Sequence, residues 1–130
     1  MQIFNRQYDI EQRESLHFVE KLEYKDYDDF IEKFGPETNP DAYFRLSSIG
    51  TYYEGIGVLV KRNLVDPYLV DDLMSGRILQ YWEAMGPFLK KLREITGDYE
   101  AGEYAEYLYK VIKSIQDKQR IDAGLSTRKT

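Results

Sequence analysis

His17, the chain's single histidine, stands three residues after Glu14. Glu-x-x-His at that spacing puts two metal ligands on one helical face, as in di-iron helical bundles. Such a centre needs the motif twice, with further carboxylates. With one histidine, a metal site would form only across a dimer, with Glu20 a turn further along. The plainer reading is a charged helix surface. Asp28-Asp29 and Asp71-Asp72 are adjacent pairs. On a helix, adjacent side chains diverge by about 100°, so neither pair makes an acid–base dyad. The chain has no cysteine, which removes disulfides, zinc–thiolate sites, iron–sulfur clusters and cysteine nucleophiles together. Gly50, Gly55 and Gly57 lie inside a helical pattern with no strand before them, so they are not a phosphate-binding loop. No nucleophile elbow is present. No catalytic residue, bound metal or cofactor is assigned, and the sequence favours a non-enzymatic domain.

One carboxylate stands apart from these. Ser47, Gly50, Glu54 and Gly57 form one helical stripe, spaced three, four and three residues. Small residues there let a second helix approach closely. Each helical glycine costs about 1 kcal/mol relative to alanine, which implies a packing or site reason for it. A buried Glu54 must be paired or protonated. Arg77 and Arg93, further along the chain, are the candidate partners. Two readings stay open: an ion pair that fixes helix register, or a small polar pocket lined by Tyr53, Glu54, Arg77 and Arg93.

The elements that would position these residues are helices. Phe4, Tyr8, Phe18, Val19 and Leu22, then Tyr27, Phe30, Ile31 and Phe34, recur at helical spacing. A break is expected near Tyr24 to Asp26, and Gly35-Pro36 ends the second helix. Asn39-Pro40 opens a third, whose seam is Ala42, Leu46, Ile49, Tyr53, Ile56 and Val60. Asp66-Pro67 starts a short helix to about Met74, with Gly76 as punctuation. Ile78, Trp82, Met85, Leu89 and Leu92 form a second seam, which Gly86-Pro87 should kink or divide. After Thr96-Gly97, Asp98 can cap a last helix with Tyr104, Leu108, Val111 and Ile115 on its apolar face. The expected fold is all-α: a compact bundle of five or six mostly antiparallel helices over residues 1–118, followed by a disordered basic tail, 119–130.

Charge and composition bound the partners. The net charge is −5, which argues against nucleic-acid binding. Residues 1–35 carry a net −4 and residues 110–130 a net +4. The basic end suits a helix C-terminus. No apolar run reaches the roughly 20 residues of a membrane span, and the first residues lack a signal-peptide pattern. The expectation is a cytoplasmic protein without membrane insertion. Twelve tyrosines are many for this length, and outward-facing ones favour contact surfaces.

The stretch from Tyr52-Tyr53-Glu54-Gly55 through Leu64-Val65-Asp66, then Tyr81-Trp82-Glu83 and Pro87-Phe88-Leu89, resembles a family of small prokaryotic helical proteins known as a domain of unknown function. The resemblance covers roughly residues 40–115. It implies the helical fold and no particular chemistry. It singles out Glu54, Trp82 and Glu83 within the recurring pattern, which adds Trp82 to the candidate binding residues. Members often carry an N-terminal membrane helix, and this sequence shows none. The first expectation for function is protein–protein contact through self-association, as a homodimer. A small-ligand or catalytic pocket at Glu54 is the alternative, and a carboxylate/histidine metal site shared across a dimer is the second.

Overall fold

The computed structural model describes the backbone of residues 6–128 and the side chains of Ile10 and residues 13–124. Five helices follow in order: α1 Arg6–Glu20, α2 Tyr27–Phe34, α3 Pro40–Lys61, α4 Pro67–Thr96 and α5 Glu103–Arg128. Among the described residues there is no strand, and no helix is long and apolar enough to cross a membrane. Phe4 and the side chain of Tyr8, both expected in the first seam, lie outside the described residues.

Capping chemistry sets most of the boundaries. Asp26 accepts the Asp29 N–H at 2.9 Å, Asn39 accepts that of Ala42 at 3.3 Å, and Asp66 accepts that of Tyr68 at 2.9 Å. Pro40 and Pro67 occupy first-turn positions, where a missing N–H costs nothing. Gly97 closes α4 at φ 74°, with its N–H on the Arg93 carbonyl at 2.8 Å.

Two local expectations need correction. Gly76 does not end a helix. The break falls two residues earlier, at Met74 (φ −152°, ψ 27°), where the short helix from Asp66-Pro67 is expected to end; α4 is two helical segments joined across that kink. Gly86-Pro87 does not divide α4 either, and Met74 is its one non-helical residue. Pro87 removes a rung of the ladder, but the Tyr24 hydroxyl braces the next one. It donates to the Ala84 carbonyl at 2.6 Å and accepts the Phe88 N–H at 3.3 Å. Helix α5 is described through Arg128. Along it, Asp117 pairs with Lys113 at 3.1 Å and with Arg120 at 3.8 Å, each about one turn away.

The whole α3 seam is buried: Ala42, Leu46, Ile49, Tyr53, Ile56 and Val60. On α4 the buried face turns slightly from the expected one. Ile78, Tyr81, Trp82, Met85 and Phe88 are inside, while Leu89 and Leu92 are half-buried. Ala105, Leu108, Ile112 and Ile115 of α5 complete the core. Helix α2 clasps α4 through aromatic rings. Phe30 stacks on Phe88 at 3.9 Å between ring centres, and Tyr27 lies parallel to Phe88 at 5.2 Å.

Helix α5 packs on both α3 and α4. Its pairings with α4 run in opposite directions along the chain: Arg93 with Glu106, Trp82 with Tyr109, Asp71 with Gln116. The two helices are therefore antiparallel. At Gly57 α5 comes close to α3, since a Cβ there would collide with the Tyr104 carbonyl. That is the close approach the small-residue stripe predicts.

Candidate functional site: the α3–α4–α5 junction

Gly102, immediately before α5, has φ 71°, a left-handed conformation that favours glycine. A side chain there would also press on Leu89 at 2.9 Å and Trp82 at 3.3 Å. So the residue before α5 has no side chain with which to cap it. Asp98, expected in that role, caps a turn instead by accepting the Glu100 N–H at 3.1 Å. The acceptor comes from another helix. Glu54 Oε1 takes the Ala105 N–H at 2.7 Å, and the Tyr104 N–H also acts on this carboxylate. A carboxylate at a helix N-terminus meets both the unpaired N–H groups and the positive end of the dipole.

Burial nevertheless raises the Glu54 carboxyl above its ordinary range. The two N–H groups and Arg93 oppose that shift, while Glu103 reinforces it. Arg93 belongs to an adjacent set of contacts. Its Nε donates to the Ala101 carbonyl at 2.7 Å and its Nη1 to Glu106 at 2.8 Å. The guanidinium lies 5.7 Å from the Trp82 ring centre. Its Nη2 is buried with no hydrogen-bond partner among the described residues. Desolvation pushes the Glu106 carboxyl up, but the Arg93 hydrogen bond and charge outweigh it and hold that group low.

A cavity of about 200 Å³ opens beside Glu54, between α3 and α4. Leu46, Met85, Phe88 and Leu89 make apolar walls. Ser47, Thr51, Glu54 and Tyr81 supply polar groups. The Tyr81 hydroxyl reaches Gly50, where it would lie 2.6 Å from an added Cβ. Burial is the main reason this phenol is pushed far above its ordinary range, and the Glu54 charge adds to it.

The model of the family described as Domain of unknown function (DUF4760) matches residues 1–112. The chain belongs to that family. The match includes α1 to α4 and the start of α5, and so the whole Glu54 junction. None of the curated proteins and none of the solved structures matches the chain.

In this DUF4760 domain the candidate residues separate. Glu54, Trp82 and Arg93 meet at one junction, as their sequence pattern suggests. Tyr53 lies beneath them in the core, 5.1 Å from the Tyr81 ring centre. Arg77 is exposed and does not pair with Glu54. The expected Glu54–arginine ion pair is replaced by the end of a helix. Tyr81, Gly102 and Glu106 were not singled out from sequence. Tyr81 had a signal, since it leads the Tyr-Trp-Glu pattern. Gly102 had one too, as a glycine just ahead of a helical run. His17 contacts Glu20 at 3.7 Å on an exposed face. Among the described residues no three metal-binding side chains gather.

Proposed function

We propose that this domain acts by self-association, as a homodimer joined through the corner where α3 turns into α4. What carries the reading is an apolar stripe facing solvent at that corner. Asn63 takes a left-handed conformation at φ 60°, and the Leu64 N–H reaches back to the Leu59 carbonyl at 2.9 Å. A hydrophobic residue at that position of a helix-ending turn frequently packs back on its own helix. Leu64 is instead 69% exposed. Tyr68, Leu69 and Leu73 follow on the first turns of α4, each more than half exposed. Leu69 and Leu73 stand four residues apart, on one face. Contiguous exposed apolar surface of this kind marks contact sites.

The occupant that fits is a second copy. The stripe is flanked by both signs of charge, Asp66 and Asp72 with Arg62 and Arg77, all exposed. A twofold axis through the stripe sets leucine against leucine and brings unlike charges opposite each other. Arg77, which has no place at the Glu54 junction, finds a role on this rim.

Light scattering behind a sizing column tests the proposal. The native chain is expected to run as a dimer whose fraction rises with concentration. The double variant Leu69→Glu/Leu73→Glu is expected to run as a folded monomer, since each buried leucine contributes about 1.5–3 kcal/mol. A native chain that stays monomeric throughout the series contradicts the reading.

A further inference from the structure

We propose that the cavity between α3 and α4 is a binding site for a small organic ammonium ion, held by the Glu54 carboxylate and the Tyr81 hydroxyl between apolar walls. The site is separate from the association surface. Tyr81 is only 4% exposed. Its ring packs on Tyr53, and its hydroxyl reaches the cavity wall at Gly50.

Charge selects the class of ligand. Glu54 is the one charged residue lining the cavity among the described residues. An anion would meet it as a like charge. A purely apolar guest would strip water from the carboxylate and return nothing. An ammonium donates to the carboxylate and to the phenol oxygen together. A carboxylate has about four lone-pair sites, so acceptor capacity remains after the α5 N–H groups are served. Tyr43, Tyr81 and Phe88 add aromatic surface to the lining.

Size selects the length. The cavity of about 200 Å³ holds the volume of roughly six waters. That is below the range of drug-sized pockets, about 300–1,000 Å³. A primary amine on a chain of a few carbons fits, with its tail on Leu46, Met85 and Leu89.

Titration of the full chain with n-butylammonium, followed by amide chemical shifts, tests this. Butyrate and n-butanol serve as controls. The expected result is saturable shifts at Gly50, Glu54 and Ala105 with the ammonium, and binding weaker by roughly tenfold or more for both controls. Glu54→Gln keeps an oxygen for the α5 cap and removes the charge, and should weaken binding by roughly tenfold or more. Thr51→Trp closes the exposed rim without entering the core, and should abolish the shifts. Absence of saturation overturns the proposal. So does equal affinity for n-butanol, or binding that survives both variants.

Discussion

Glu54 and Ala105 lie 51 positions apart, yet the carboxylate of one accepts the backbone N–H of the other at 2.7 Å. One helix thus caps the next. The arrangement follows from Gly102, whose positive φ and contact with Trp82 and Leu89 exclude a side chain where a cap would normally sit. The cap also fixes where α5 starts along α3, beside the close approach at Gly57.

The acceptor role predicts a contrast between two substitutions. Glu54→Ala leaves the α5 N–H groups without their acceptor and is expected to cost about 1–2 kcal/mol in urea unfolding. Glu54→Gln keeps an oxygen in place and is expected to cost less than about 0.5 kcal/mol at neutral pH. Equal losses in the two variants would shift the role from hydrogen bonding to charge.

The titration of Glu54 gives a second prediction. Burial raises its folded-state pKa above the unfolded value, so the folded state holds this proton more tightly. The corresponding stability is fully present below the ordinary carboxyl range and is lost as pH rises through the raised value. Glu54→Gln cannot titrate. The stability of the native chain minus that of Glu54→Gln is therefore expected to fall as pH rises across the acidic range. Glu103, Arg93 and Tyr81 face Glu54 in both proteins and largely cancel in the difference. Unfolding free energies at a series of pH values check this, and a difference that rises with pH would contradict it.

Two glycines of α3 should respond in opposite ways to alanine. Gly55 faces open space, so Gly55→Ala is expected to stabilise by about 0.5–1 kcal/mol through helix propensity. A Cβ at Gly57 meets the Tyr104 backbone, so Gly57→Ala is expected to destabilise by about 1–3 kcal/mol. Thermal unfolding of the two variants side by side gives the signs.

Pro87 is tolerated because Tyr24 spans the Ala84 carbonyl and the Phe88 N–H. Tyr24→Phe keeps the edge-to-face packing on Phe30, at 5.1 Å, and removes only the bridge. The expected loss is about 1–2 kcal/mol by chemical denaturation. An unchanged midpoint would mean that α4 carries Pro87 without help.

Helix starts and apolar seams are legible in short-range sequence, and contacts between distant helices are not. Asn39-Pro40 and Asp66-Pro67 start helices by chemistry contained within a few residues. The α3 seam follows from spacing alone. Glu54 stood out because a carboxylate among glycines invites a partner. That partner is a backbone N–H in a later helix, and no side-chain type announces it. The integrity of α4 at Pro87 depends on a hydroxyl about 60 positions earlier. Leu69 and Leu73 have the spacing of core residues. Only the kink at Met74 and the turn at Asn63 show that their face meets solvent.

The absence of native cysteine makes a direct test of the association surface possible. A single Leu73→Cys places a thiol on the stripe, where a twofold axis brings it to its own copy. Ile95→Cys, also exposed but near the opposite end of α4, is the control. Under mild oxidation the account predicts rapid disulfide-linked dimer from Leu73→Cys and little from Ile95→Cys, read on a non-reducing gel. Equal rates for the two variants, or no dimer from Leu73→Cys, would contradict it.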